Sequence, residues 1–190
     1  MLEAESNKKY CLFDSKVMMI NFWILALFWS ASSINFYTVN FYMPYVPGDV
    51  FVNTFYSTLS ENAANLASGV IFGILGIKPS FLIGYAFAAV GGLLIMTGPD
   101  GQLMGIYVLL AKFAITYTFN IVYMSTPKFF PENVTTTVWG YLNTVARFLS
   151  ALAPLIAVQP APLPMISFTA LSVFAIFGSQ NLNTERVKKT

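Results

Sequence analysis

Residues 103–126 read LMGIYVLLAKFAITYTFNIVYMST, 24 residues with one charge, Lys112. A helix that crosses a bilayer needs about 20 predominantly apolar residues, and this stretch has that length. Turn chemistry bounds it: GPDG at 98–101 before it and PEN at 131–133 after it. Proline and glycine in such clusters end helices because they lack a donor or favour non-helical backbone. Working outward, five more stretches of the same kind appear at 17–42, 51–76, 80–97, 134–158 and 163–178. The breaks between them are PYVPGD at 44–49, IKP at 77–79 and QPAPLP at 159–164. Every connection is short, so successive helices run antiparallel. The expectation is an all-α protein, a bundle of six transmembrane helices over 17–181. A polar N-terminal segment, 1–16, and a basic tail, 182–190, flank it.

Composition agrees. Apolar residues make up 56% of the 190 and charged residues only 9%. A soluble domain carries about 25% charged residues, so lipid must be the main solvent and membrane lipids the first partner. There is no histidine, which removes the commonest metal ligand and general base. The single Cys11 excludes an internal disulfide and a cysteine metal cage. With no glycine-rich phosphate loop and no paired catalytic carboxylates, the chain reads as neither an enzyme nor a cofactor protein. Its net charge of +2 is too small to suggest nucleic acid. The opening MLEAESNKKY lacks the basic start and apolar core of a signal peptide.

Charge tests the count of spans. With six, the termini and even-numbered loops share one side, which holds Lys8, Lys9, Lys16, Lys78, Lys128, Arg186, Lys188 and Lys189. The opposite loops hold Asp49 and Asp100 and no base. The positive-inside rule then places both termini in the cytoplasm or, for a mitochondrial protein, the matrix. The sequon at Asn133 falls on that side and is expected to stay unmodified.

Three ionisable residues lie inside spans: Glu61, Lys112 and Arg147. Each is costly in lipid, about 2.5–3.5 kcal/mol on insertion scales, so each should face protein or water. Helical spacing sorts them into stripes: Ser57, Glu61, Asn65; Lys112, Thr116, Asn120; and Asn143, Arg147, Ser150. Two readings follow, a solute or ion cavity lined by the stripes, or a Glu61–Lys112 or Glu61–Arg147 pair that pins helices. Gly84, Ala88 and Gly92 recur every fourth residue and predict a close-packing face. The abundant Phe (18) and Tyr (10) read as packing and lipid-facing bulk.

Residues 110–131, LAKFAITYTFNIVYMSTPKFFP, and 131–154, PENVTTTVWGYLNTVARFLSALAP, resemble the organic cation/anion transporter branch of the major facilitator superfamily. Lys112, Phe113, Phe119, Asn120, Val122, Tyr123, Pro131, Gly140, Arg147 and Pro154 fall in register with its motifs. Residues 49–64, DVFVNTFYSTLSENAA, are similar to its eighth helix. The resemblance spans about 12–186 and implies the second, six-helix half of a twelve-helix carrier. It also implies packing roles for Gly140 and Pro154, beside Gly84 and Gly92. The sequence departs from the family at Lys128, where the motif has Glu, and at Thr135, where it has Arg. The family position of Arg147 is Arg in anion carriers, which implies a small organic anion if a solute is carried.

Two functions follow from the resemblance. One is a degenerate half-carrier serving as a structural subunit of a larger membrane complex, such as a respiratory complex of the mitochondrial inner membrane, with other subunits as partners. It rests on the expectation that the opposing bundle is not encoded here. The alternative is a half-size anion transporter, active as a dimer or with a separately encoded first half.

Overall fold

The computed structural model describes residues 16–47, 49–97 and 103–184. Cys11, most of the N-terminal segment, the 98–101 turn with Asp100, and nearly all of the basic tail lie outside the described residues. Among the described residues there are seven α-helices and no strand. They are α1 (Lys16–Tyr42), α2 (Val50–Leu75), α3 (Ile77–Thr97), α4 (Met104–Phe129), α5 (Glu132–Ser150), α6 (Ala153–Ala157) and α7 (Leu163–Asn181).

Local chemistry explains the boundaries. Asp49 caps α2, its carboxylate accepting from the backbone N–H of Phe51 at 2.8 Å and of Val52 at 3.2 Å. Gly76 ends α2 at φ 79°, a left-handed conformation that glycine alone adopts at no cost. Helix α3 starts at once, with Pro79 in its first turn, where a missing N–H costs nothing. Pro131 is extended and precedes α5.

The expected fifth span, 134–158, is not one helix. It breaks after Ser150, and Pro154 opens the short α6. Proline cannot donate to the carbonyl four residues back. The chain turns instead through bonds from Ala151 N to Phe148 O and from Leu152 N to Leu149 O. Pro154, expected as a packing residue, is therefore a helix starter, half-buried.

Among the described residues, four helices are long and apolar enough to cross a membrane: α1 with the 3-10 turn that extends it to Tyr45, α3, α4 and α7. Helices α2 and α5 have 26 and 19 residues. Their polar stripes keep them below that apolar threshold. Of the six stretches expected from sequence, four are the more apolar helices, and α2 and α5 carry heavier polar stripes.

Helices α2, α4, α1 and α5 lie side by side in that order, and α3 and α7 pack behind them. Two buried clusters mark the two ends of the bundle. One gathers Met18, Phe72, Ile77, Phe81, Phe129 and Leu182. The other gathers Val39, Met43, Met104, Val108 and Met165. Small residues let the back layer close. A Cβ on Gly84 would stand 2.8 Å from the Tyr117 ring, and one on Gly92 would stand 2.3 Å from Thr169 Oγ1. Gly91, not singled out in the sequence, lies as close to Ala111. Gly140 corrects the expectation. It is exposed on α5, and a Cβ there would meet nothing within 4 Å.

Buried hydrogen bonds fix the register between helices. Tyr85 Oη lies 2.9 Å from Ser32 Oγ and donates to Phe28 O at 3.2 Å. Trp29 Nε1 donates to Thr126 Oγ1 at 3.0 Å, and Asn35 Nδ2 to Phe168 O and Ser172 Oγ. Asn21 and the backbone of Asn183 bond reciprocally at 2.9 and 3.0 Å, tying the end of α7 to α1. Each bond satisfies a group that would be costly to leave bare in an apolar interior.

Candidate functional site: a polar face across four helices

The two stripes of α2 and α4 meet. Ser60 Oγ donates to Leu109 O at 3.1 Å, Lys112 Nζ lies 2.8 Å from Glu61 Oε1, and Asn120 Nδ2 donates to Asn65 Oδ1 at 2.6 Å. The contacts advance together along both helices, so α2 and α4 run parallel. Glu61–Lys112 is the one ion pair among the described residues.

Lys112 is fully buried, yet no part of its ammonium is wasted. Glu61 takes one side, Asn40 Oδ1 accepts a short hydrogen bond, and the Phe36 ring lies 3.7 Å away at its centroid. A buried charge persists only with such partners, and the aromatic face adds a cation–π attraction. The Glu61 side chain remains 29% exposed. The carboxylate therefore stands between the lysine and the open face. What a solute meets there is the acid.

Arg147 sits apart from that pair, a correction to the expected Glu61–Arg147 alternative. Its Nη1 donates to Tyr37 Oη at 2.7 Å and its Nε to Asn143 Oδ1 at 3.3 Å. Both partners are neutral, the side chain is exposed, and no carboxylate pairs with it among the described residues. Lys112 has taken Glu61, and Arg147 lies on α5, beyond α1 from α2. One turn of α1 joins the two sites: Phe36 and Asn40 address Lys112, while Tyr37 addresses Arg147.

Several of the aromatic residues read as packing bulk form one connected group. Phe36 stacks on Phe119 at 5.7 Å, Phe119 meets Tyr123 at 5.1 Å, and Tyr123 meets Trp139 edge-on at 5.4 Å. Trp29 closes the group against Tyr123 at 4.4 Å. This wall links α1, α4 and α5, running from Phe36 beside Lys112 along the helices to Trp29 and Trp139. No spacing within a single helix signals these inter-helix pairs.

The enclosed concavities lie elsewhere. One of about 290 Å³ opens between Val46, Asn53, Tyr56 and Leu109, and one of about 360 Å³ between Tyr42, Tyr45, Met104 and Gln159. Neither holds Glu61, Lys112, Asn120 or Arg147. Glu61, Asn120 and Arg147 reach an open face, and Lys112 lies buried behind Glu61.

The sequence is similar to known transporters. No family model matches the sequence. The chain is 28% identical over 131 residues to mouse solute carrier family 22 member 4, covering 67% of this chain and 24% of the relative. It is 27% identical over 132 residues to human organic cation/carnitine transporter 2, covering 67% and 23%. A Caenorhabditis elegans protein named as a transporter is 23% identical over 177 residues, 92% of this chain and 36% of the relative. The chain is similar to organic cation/carnitine transporters. It is a multi-pass integral membrane protein that resembles a fragment of a major facilitator carrier, and it spans between about a quarter and a third of its relatives' length. These relatives are transporters, not enzymes. None is named as a mitochondrial protein or a subunit of a respiratory complex.

Proposed function

We propose that this chain is one six-helix bundle of a secondary solute carrier, and that its α2–α4–α1–α5 face lines the solute path. The observation that carries the reading is the gathering of Glu61 and Arg147, with Asn65, Asn120, Tyr37 and Asn143, onto one open face, with Lys112 buried behind Glu61. Charges in spans face protein or a water-filled path. Alternating access works by one bundle rocking against another around a central site. The opposing bundle would come from a second copy or from another stretch of polypeptide. The transporter relatives support this reading over an accessory subunit in a respiratory complex.

The solute would be a small carboxylate-bearing organic ion. Arg147 offers the guanidinium, and Tyr37 an adjacent hydroxyl. Lys112, enclosed by Glu61, Asn40 and Phe36, would hold the site in shape without touching the solute. Both termini would lie on the basic side, in the cytoplasm or matrix, with 17–181 as the membrane domain.

Uptake of radiolabelled organic anions by vesicles carrying the full chain with its opposing bundle tests this. Arg147→Ala should abolish uptake, while Arg147→Lys retains part of it. Unchanged uptake by Arg147→Ala at equal membrane abundance would refute the site.

A further inference from the structure

The end of the bundle marked by Met18, Phe72, Ile77 and Phe129 carries three lysines. Lys16 is two residues from Met18, Lys78 follows Ile77, and Lys128 precedes Phe129. None has a carboxylate partner among the described residues. The described acid at that end is Glu132, in the first turn of α5, where the helix dipole already favours it.

One of these lysines is held in place by a ring. Lys128 Nζ lies over the Phe72 ring, 4.5 Å from its centroid, which holds the ammonium against the last turns of α2. That helix ends at Gly76, and Lys78 lies two residues on, in the first turn of α3. The turn between them is open: a Cβ on Gly76 would meet nothing within 4 Å. Two cations thus stand at one rim of an apolar bundle, near the open Gly76 turn.

We propose that this rim, Lys78 and Lys128 around the Gly76 turn, binds the phosphate headgroup of an anionic phospholipid. The charge is complementary. The position is that of bilayer phosphates, since all three lysines stand at the ends of membrane-spanning helices beside buried apolar residues. Basic residues at the membrane surface attract anionic lipid, each by about a fivefold gain in partitioning. A soluble anion would gain nothing from the apolar helix surface below this rim, whereas acyl chains would. The site is separate from the polar face and does not depend on its role.

The test uses the purified full chain, extracted from bilayers of equal phosphatidylcholine and phosphatidylglycerol and examined by native mass spectrometry. Wild type should retain phosphatidylglycerol in preference. The Lys78→Gln/Lys128→Gln double variant should lose that preference by roughly 25-fold, the product of two such gains. Lys78→Arg/Lys128→Arg should keep it, and circular dichroism should show all three proteins equally helical. Equal preference in wild type and the glutamine variant would overturn the proposal. So would displacement of the lipid by excess inorganic phosphate, which would mark a site for free anions.

Discussion

Cutting the Glu61–Lys112 pair on one side should hurt far more than removing it whole, and the two single cuts should be unequal. Lys112 is fully buried, while 29% of the Glu61 side chain is exposed. Glu61→Leu strands a buried ammonium with only Asn40 and the Phe36 ring. Breaking a buried pair in this way costs about 3–5 kcal/mol. Lys112→Met strands a carboxylate that reaches the open face, and the cost should fall to about 1–3 kcal/mol, the price of an unmet polar group. The double variant removes both charges and both desolvation penalties, and it should lie within about 1 kcal/mol of wild type. The assay is reversible unfolding in mixed micelles, followed by tryptophan fluorescence, with all four proteins compared in a cycle. Additive losses, or Lys112→Met costing more than Glu61→Leu, would refute the reasoning.

Other outcomes follow from single contacts. Gly92→Leu should destabilise the bundle by about 1–3 kcal/mol or more through overpacking, because even a Cβ would stand 2.3 Å from Thr169 Oγ1. Gly140→Leu, with open space around it, should leave the same unfolding curve unchanged. Trp29→Phe deletes the buried bond to Thr126 Oγ1, whose hydroxyl still donates to Val122 O at 2.7 Å, so a loss of about 0.5–1.5 kcal/mol, that of one hydrogen bond, is expected in the same assay. Asn21→Ala removes both bonds to Asn183. Hydrogen exchange at the Asn183 amide should speed up while the α3 and α4 amides keep their protection.

Much of the fold was legible because turn chemistry punctuates the chain. Asp49, Gly76, Pro131 and the prolines of 160–164 set helix limits within a few residues. The interruption between α5 and α6 was visible in principle, as Pro154, yet an apolar run hides a break when composition alone is read. The stripes on α2 and α4 were legible as spacing, and the structure places them against each other. What spacing cannot give is the partner. Nothing local distinguishes Lys112 from Arg147 as the mate of Glu61. That choice depends on α4, not α5, lying beside α2, a tertiary fact. Tyr37 and Asn40 were missed for the same reason, each meaningful only through a side chain more than 70 residues away. Gly140 shows the converse: a family position in register need not keep its contact within one bundle.

The central claim is that the α2–α4–α1–α5 face meets water and solute, not lipid. The direct test is cysteine accessibility in membranes, with Cys11 changed to Ser and single cysteines placed at Asn65 and Asn143, and at the exposed apolar Leu66 for contrast. A membrane-impermeant thiol reagent should label the cysteines replacing Asn65 and Asn143, and an organic anion that is carried should slow that labelling, while the one replacing Leu66 stays unlabelled. Labelling at Leu66 with silence at Asn65 and Asn143 would contradict the account.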